Sequence, residues 1–285
     1  MTFLTQTLTG RFCQLDLSRP CIMGVLNVTP DSFFDGGRYT DIPSVIRWGM
    51  QMECEGAGIL DIGGESTRPG SSPVSAKEEL ARVIPVIEGL RSKTDLPISI
   101  DTTKAEVAAA AVTAGASFVN DISGLHFDSE MAAVVAESGA GLFVMHTSGR
   151  PEVMQQRTDY ADVVAEVIDG LRQSLDIAVS AGVEKSRLAV DPGIGFGKTA
   201  EGNLELLHHL DSFHQFNCPV LLGTSRKSFI GRVLDLDDPQ ERLFGTLATV
   251  ASGVERGVQI FRVHDVRPAR DAALVAWAIR EQRLP

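Results

Sequence analysis

Eight short apolar runs of this chain each stop at a polar residue that stands beside small or turn-forming residues. Uninterrupted apolar runs are typical of parallel strands buried on both faces, and the stretches between the runs have helical character. The runs and their polar endings are 22–26 with Asn27, 59–60 with Asp61, 98–100 with Asp101, 118–119 with Asn120, 142–145 with His146, 188–190 with Asp191, 220–222 with Thr224 and Ser225, and 260–261 with Arg262 and His264. Eight β-α repeats predict an α/β fold, the (β/α)8 TIM barrel, whose functional groups lie at the C-terminal ends of the strands.

A single domain, 1–285, accommodates the whole pattern. Residues 1–20 are predicted to form an N-terminal hairpin extension over the barrel floor. Helices are predicted near 43–57, 75–93, 103–114, 129–138, 158–181, 199–214, 240–256 and 267–281. The third is the clearest, because Thr102 or Thr103 can cap it, its sequence is rich in Ala, and Gly115 follows it. The connections 29–39 and 63–73 exceed what a barrel requires and are predicted to enclose a second substrate.

The formal net charge of −11 disfavours non-specific binding to nucleic acid, so an anionic substrate needs a local basic cluster. No apolar run approaches the ~20 residues of a membrane span, and the N-terminus lacks the pattern of a secretory signal, which predicts a cytoplasmic protein. Cys13, Cys21, Cys54 and Cys218 lack Cys-x-x-Cys spacing. They are expected to be buried, inert thiols rather than zinc ligands or disulfide partners.

Polar groups after the first two strands suggest a site for an anion and its counterion. The neutral amide oxygen of Asn27 suits a magnesium ion that also binds substrate phosphates, and the alternative is that Asn27 only caps a turn. Arg68 brings a fixed cation to the barrel mouth. Asp61 and Glu65 are expected to orient the loop internally rather than to face a ligand.

Asp101, Asn120 and Asp191 close strands three, four and six, so barrel closure brings them together. A carboxylate accepts two N–H donors at fixed spacing, which predicts binding of a heterocycle with an amide edge and an exocyclic amine. Three independent helix caps are the alternative.

The glycine-rich stretch 191–199 fits neither of two nucleotide-binding patterns. A Walker A loop would need glycine where Pro192 stands, and the dinucleotide-binding pattern Gly-x-Gly-x-x-Ala would need an acidic residue at the end of the following strand, which is absent. We interpret it as a flexible loop beneath an aromatic ring.

The last two strands end in a cluster of polar and basic residues, a common place for phosphate sites in such barrels. The cluster consists of Ser225, Arg226, Lys227, Arg262 and His264. We predict that it binds an anion, and the alternative is a solvated surface. His146 either faces the mouth or is half-buried. The remaining histidines, His126, His208, His209 and His214, are interpreted as structural.

These motifs resemble those of the dihydropteroate synthases of folate biosynthesis. The matching stretches are 27–33, 61–70, 100–102, 120–124, 191–198, 225–227 and 262–264, and 145–151 is the least typical. The resemblance implies condensation of 6-hydroxymethyl-7,8-dihydropterin pyrophosphate with 4-aminobenzoate to give 7,8-dihydropteroate and pyrophosphate. It also implies sensitivity of the family to sulfonamides, a Mg2+ cofactor and a homodimer.

Carried over residue by residue, the resemblance assigns three groups of ligands. The pterin would contact Asp101, Asn120, Ile122, Met145, Asp191, Phe196, Gly223 and Lys227; the pyrophosphate would contact Asn27, Thr67, Arg68, Arg262 and His264; and 4-aminobenzoate would contact Phe33, Thr67, Arg68, Pro69 and Ser225. Asp101, Lys227, Arg262 and Asn27 would be the catalytic residues, with Asn27 as the metal ligand.

No Ser-His-Asp or Cys-His arrangement is evident, and none is required, because pyrophosphate is a good leaving group once cations neutralise it. We therefore expect an SN1-like substitution in which the enzyme supplies charge and position. The alternatives are a pterin-dependent methyltransferase, a catalytically silent pterin-binding paralogue, and a Schiff-base aldolase that uses Lys227.

Overall fold

The computed structural model describes residues 6–29, 41–68 and 70–285. The predicted barrel is confirmed: eight parallel strands follow one another in the order β8-β7-β6-β5-β4-β3-β10-β9, and a parallel bridge from Val190 to Val220 closes the sheet. The barrel strands are β3 (Cys21–Asn27), β4 (Ile59–Gly63), β5 (Ile98–Asp101), β6 (Phe118–Asp121), β7 (Gly141–Met145), β8 (Leu188–Asp191), β9 (Leu221–Leu222) and β10 (Ile260–Val263).

The helices surround the sheet in the predicted alternation. They are α1 (Ile42–Glu55), α2 (Ala76–Arg91), α3 (Ala105–Ala114), α4 (Met131–Ser138), α5 (Val163–Ser180), α6 (Ala200–His208), α7 (Ser228–Leu234), α8 (Leu243–Glu255) and α9 (Val266–Glu281), with short 3-10 turns at Met154–Gln156, Lys185–Arg187, Leu210–Phe216 and Pro239–Arg242. The short α7 was not predicted. No helix in the described part of the chain is long and apolar enough to cross a bilayer.

The capping prediction for the third helix was wrong at its start and correct at its end. Lys104 precedes α3 without a side-chain cap, and the amide of Ala105 instead donates to Asp128 Oδ2 at 2.8 Å. The hydroxyl of Thr102 accepts from the Lys104 amide. Lys104 precedes the first residue of the helix, so this hydrogen bond does not cap it. Gly115 ends the helix with a φ of 119°, a left-handed conformation that favours glycine.

The N-terminal extension closes the barrel floor, as predicted. Strands β1 (Thr7–Thr9) and β2 (Gln14–Asp16) pair antiparallel. Their leucines pack with the lowest layer of barrel side chains in one cluster that includes Met23, Ile59 and Phe118. Since side chains alternate along a strand, the residues two and four positions beyond that layer also point into the barrel, toward the opposite mouth.

The register of the strands places the predicted site residues at one level. Asn27 pairs with Gly63, Gly63 with Asp101, and Asp101 with Asn120. The predicted end of the second strand was wrong, because β4 continues through Gly63. Asp61 therefore lies inside the barrel, one layer below the mouth, and is fully buried.

The cysteine prediction is partly wrong. All four cysteines are free, but only Cys218 is buried, whereas Cys54 is exposed. Burial raises the pKa of Cys21 to about 12 and that of Cys218 to about 11, so these two thiols stay protonated and unreactive at neutral pH.

Candidate active site

Arg262 crosses the barrel mouth and binds two carboxylates. Its Nε donates to Asp61 Oδ2 at 2.6 Å, and its Nη2 donates to Asp101 Oδ2 at 2.6 Å. Asn120 Nδ2 donates to the same Asp61 oxygen at 3.2 Å. Burial lowers the pKa of Arg262, but the negative charges of Asp61 and Asp101 raise it by more, to above its ordinary value. The guanidinium is therefore a fixed cation.

Asp101 shares that single guanidinium with a second carboxylate. Burial raises the pKa of Asp101 to about 7; Arg262 opposes this shift, and the nearby charge of Asp61 adds to it. A carboxyl group that titrates near neutral pH in a cleft is a common property of functional sites. The cleft beside it is lined in addition by Thr67, Ile122 and Phe127.

Asp191 ends β8 at the same mouth and lies near Gly223. Its Oδ1 accepts the Gly193 amide at 2.7 Å, and burial raises its pKa. A Cβ at Gly223 would lie 3.9 Å from both Asp191 Oδ2 and Arg262 Cβ. The missing side chain after β9 therefore leaves a gap of at least methyl size between the two charged groups.

Lys227 closes this space from the loop after β9. Its Nζ lies 4.3 Å from the centre of the Phe196 ring and donates to the carbonyl of Ile194. Burial lowers the pKa of Lys227 to about 7, and the carboxylate of Asp191 opposes that shift. Met145 and Ile122 are both buried at the adjoining strand ends. Every predicted pterin residue therefore lies on this mouth, with apolar groups beside the charged ones.

The loop after β8 is held by side chains from its surroundings, contrary to the predicted flexibility. Asn203 Oδ1 accepts the Gly195 amide at 2.6 Å, and Tyr160 donates to the Gly197 carbonyl at 3.0 Å. Lys198 Nζ donates to the carbonyls of Gly193 and Phe196, both at 2.9 Å. The glycines serve close packing here, since a Cβ at Gly193 would lie 1.9 Å from the His146 carbonyl oxygen.

The predicted basic cluster carries less charge than its composition indicates. Arg226 faces Asp265, to which its Nε and Nη2 donate at 2.9 and 2.7 Å, so it is not available to an anion in this arrangement. Burial, together with the charge of Arg262, lowers the pKa of His264 to about 4, which leaves a neutral ring. Its Nδ1 lies 2.9 Å from Ser225 Oγ, and the His264 amide also donates to that hydroxyl.

Loop 63–73 is anchored by acidic residues, as predicted for Glu65. Lys104 Nζ donates to Glu65 and, at 2.6 Å, to the fully buried Glu79. The other oxygen of Glu65 accepts the Val74 amide at 3.1 Å. Arg68 is exposed at the tip of this loop, and Thr67 is half-buried. Two residues predicted to contact 4-aminobenzoate, Phe33 and Pro69, lie outside the described residues.

Asn27 is placed to contribute an oxygen ligand. A Cβ at Gly63 would lie 3.5 Å from Asn27 Oδ1 and 3.7 Å from Asp101 Oδ2, so both oxygens face the same small space. In the described part of the chain, no three His, Cys, Asp or Glu residues form a cluster suited to a metal. Neutral and acidic oxygens without nitrogen or sulfur fit magnesium, which usually takes one or two protein ligands and completes its shell with water and phosphate.

Two residues of the site received no role in binding from the sequence. Asp61 was assigned to the loop, but it connects Arg262 with Asn120 inside the barrel. Its inward position follows from the alternation Ile59, Asp61, Gly63, once β4 is extended. Lys198 carried no local signal, because its acceptors come from two separate loops. His146 is half-buried, and its Nδ1 lies 3.2 Å from Lys198 Nζ.

The family of this chain follows from its match to known proteins. The profile of the pterin binding enzymes matches residues 23–264, which include all the strand-end groups described above. The chain belongs to the pterin-binding enzyme family. Within that family, it is 49% identical to the dihydropteroate synthase of Synechocystis sp. over 92% of this chain and 90% of that protein. The dihydropteroate synthase of Bacillus subtilis is 50% identical over 86% of this chain and 84% of that protein.

Solved structures in the family share the fold over nearly the entire chain. The Xanthomonas albilineans dihydropteroate synthase with 4-aminobenzoic acid has a TM-score of 0.91 and 43% identity, and the match covers 99% of this chain and all of the other. The Yersinia pestis dihydropteroate synthase with a sulfonamide drug has a TM-score of 0.92 and 41% identity, covering 96% of this chain and 99% of the other. The expected fold and the resemblance are thereby confirmed.

Proposed function

We propose that this chain catalyses the condensation of 6-hydroxymethyl-7,8-dihydropterin pyrophosphate with 4-aminobenzoate, which yields 7,8-dihydropteroate and pyrophosphate. It is a transferase of folate biosynthesis, like the dihydropteroate synthases it matches. The observation that carries this proposal is the convergence of Asp101, Asn120 and Asp191 at one barrel mouth, which Lys227 and Arg262 also border.

The pterin fits that space by its polar edges and its flat ring. Carboxylates of Asp101 and Asp191 would accept the ring and amine N–H groups, while Asn120 and Lys227 would contact the remaining ring edge. Phe196 would lie beside the pterin ring, next to the Lys227 ammonium that it contacts. Ile122, Met145 and Gly223 would line the slot, and the burial of Ile122 and Met145 limits water there.

The pyrophosphate would lie where the fixed cations are. Arg262 retains its charge throughout the neutral range, and neutral His264 would serve as a hydrogen-bond donor rather than as a cation. Asn27, Thr67 and Arg68 would complete this side. Mg2+ bound at Asn27 Oδ1 would supply additional neutralisation of the phosphate oxygens.

The reaction then needs charge placement rather than a protein nucleophile. The bond between the exocyclic methylene carbon and the pyrophosphate oxygen breaks, and its electron pair leaves with pyrophosphate. The remaining cation is delocalised into the pterin, where the ionised Asp101 stabilises it. The amine of 4-aminobenzoate attacks the methylene carbon and afterwards loses a proton. Ser225, Thr67 and Arg68 would contact 4-aminobenzoate, together with Phe33 and Pro69.

The direct test is the wild-type reaction with Mg2+. Pyrophosphate release from the pterin substrate is measured with and without 4-aminobenzoate, and dihydropteroate is identified by chromatography. We expect pyrophosphate and dihydropteroate in equal amounts. Tight pterin binding without product would overturn the proposal in favour of a silent paralogue or a pterin-dependent methyltransferase.

Lys227 also bears on the Schiff-base alternative, because a buried lysine with a lowered pKa is a typical nucleophile for carbonyl carbon. Its contacts with the Ile194 carbonyl and the Phe196 ring favour a binding role instead. Borohydride treatment in the presence of a carbonyl substrate is expected to give no adduct. A stable adduct on Lys227 would support the aldolase.

Two further proposals concern the state of the protein. A homodimer is supported by apolar side chains on neighbouring helices α8 and α9, where Phe244, Val275 and Ile279 are 80%, 62% and 67% exposed. Light scattering of the purified chain tests it, and a monomeric mass would contradict it. A cytoplasmic location agrees with the four free cysteines, which suit a reducing compartment.

A further inference from the structure

Lys198 is a buried lysine that forms no salt bridge with a carboxylate of the described residues. Lys198 is only 4% exposed and lies at the end of the glycine-rich loop after β8. Its Nζ lies 2.9 Å from the carbonyl oxygens of Gly193 and Phe196, 3.3 Å from that of His146 and 3.2 Å from His146 Nδ1. An ammonium in such a place is costly unless its donors are all used, and here three N–H groups meet four acceptors.

The acceptors of Lys198 belong to two different loops of the barrel mouth. His146 follows β7, whereas Gly193 and Phe196 follow β8. The two loops also meet through the His146 amide, which donates to the Asp191 carbonyl at 3.1 Å. Lys198 therefore connects the β7 and β8 loops, and these acceptors occupy all of its N–H groups.

The loop that Lys198 holds makes both contacts of Lys227. The carbonyl of Ile194 accepts from Lys227 Nζ, and the Phe196 ring lies 4.3 Å from that nitrogen. Ile194 lies between the two carbonyls that Lys198 binds, at Gly193 and Phe196. A shift of this short segment would move the acceptor and the ring together, and the ammonium of Lys227 with them.

We propose that Lys198 is a positioning residue of the pterin site, which acts through the 193–197 segment on Phe196 and Lys227 without contacting the substrate. Burial, together with the charge of Lys227, lowers the pKa of Lys198 to about 7, which agrees with an enclosed ammonium close to that of Lys227. The inference deepens the proposed function and rests on it for the identity of the ligand.

The first test needs no ligand and compares hydrogen exchange of backbone amides in wild type, Lys198→Met and, as a control, Lys185→Met at an exposed lysine. Lys198→Met leaves the buried carbonyls of Gly193 and Phe196 without this donor, so the amides of 193–197 should exchange about tenfold faster or more than in the wild type. The amides of Ser123 and Leu125, which Asp121 binds in another mouth loop, should not change. Equal exchange of 193–197 in all three proteins would overturn the proposal.

The second test separates positioning from general damage by steady-state kinetics. Lys198→Met should raise the KM for the pterin pyrophosphate about tenfold or more, with the KM for 4-aminobenzoate within about twofold of wild type. An unchanged pterin KM, or equal rises for both substrates, would contradict it. If the wild type itself forms no dihydropteroate, the proposed function fails, and the exchange comparison alone decides the role of Lys198.

A milder variant covers the case in which Lys198→Met does not fold. Lys198→Gln removes the buried charge and retains two N–H donors, which can still reach part of the acceptor set. Its KM for the pterin pyrophosphate should exceed that of the wild type by about twofold or more, with the KM for 4-aminobenzoate again unaffected. Wild-type pterin kinetics and wild-type exchange in Lys198→Gln would both count against the inference.

Discussion

The guanidinium of Arg262 holds the carboxylate of Asp101, with 2.6 Å between Nη2 and Oδ2, while its Nε binds Asp61 at the same distance. Two carboxylates thus share one cation inside the barrel mouth. A bound pyrophosphate would compete with Asp101 for that cation. Asp101 would then be left beside the pterin, where its negative charge can stabilise the developing cation.

Removal of the shared cation should destabilise the fold. Arg262→Met leaves Asp61 and Asp101 buried without their partner, and breaking a buried pair in this way costs about 3–5 kcal/mol in free energy of unfolding. The control is Arg172→Met, whose pair with Asp169 is half exposed and is expected to change stability by about 0–1 kcal/mol. Urea unfolding measures both, and similar values for the two variants would contradict the buried bridge.

The pKa of Asp101 sets the expected acid limb of activity. The folded value near 7 exceeds the ordinary 3.8, so the folded chain binds more protons between about pH 4 and 7. The contribution of this group to stability is therefore greatest at low pH and falls as pH rises toward 7. Activity should rise over the same range, because the mechanism uses the ionised carboxylate.

The same carboxyl can be probed through its neighbour. Asp61→Asn removes the like charge that raises the pKa of Asp101. The acid limb of kcat/KM for the pterin substrate should therefore move to lower pH than in wild type. A pH-rate profile of both proteins checks this, with phosphate ionisation of the substrate common to both. A limb that stays in place would show that Asp101 is not the group observed.

Gly193 is predicted to be irreplaceable for two separable reasons. It has a φ of 69°, and a Cβ would lie 1.9 Å from the His146 carbonyl oxygen. Gly193→Ala should lose more stability than Gly182→Ala, where φ is 100° but the nearest atom lies 3.9 Å away. Gly182→Ala should lose only the free energy of placing alanine in a left-handed backbone, about 1–2 kcal/mol. Equal melting temperatures for the two variants would exclude a steric role for the loop contact.

The anchor of loop 63–73 should affect the second substrate. Lys104→Met removes the ammonium that binds Glu65 and Glu79, and Glu79 is fully buried. We expect a raised KM for 4-aminobenzoate with a smaller change for the pterin substrate. Most of the residues proposed to contact 4-aminobenzoate belong to this loop, whereas the pterin substrate is also held by many residues outside it. Lys77→Met, at an exposed position on α2, is the control. A selective rise for the pterin substrate instead would contradict the assignment of this loop.

The sequence predicts the barrel and the level of its site well, because apolar runs mark the strands and strand ends converge at one mouth. Asp101, Asn120 and Asp191 are examples of that success. Arg226 is a failure with a local cause: its backbone has a φ of 60°, and its guanidinium binds Asp265. Neither the left-handed conformation nor the partner is indicated by the residues on either side.

Lys198 shows a second kind of limit. Its acceptors are backbone carbonyls from two loops, and carbonyls carry no residue-specific signal in a sequence. A lysine that is buried among backbone carbonyls therefore looks like any surface lysine until the fold is known. The prediction that His264 is basic was wrong for a similar reason. Burial beside Arg262, which the residue type does not indicate, makes the ring neutral.

The most direct test of the central claim is the kcat for dihydropteroate formation by Asp101→Asn, measured beside its melting temperature. Loss of one electrostatic group aimed at a developing charge typically costs about 100- to 1,000-fold in kcat, and we predict a decrease in that range with the fold intact. Turnover at the wild-type rate in a folded Asp101→Asn protein would contradict the role of Asp101 and with it the proposed mechanism.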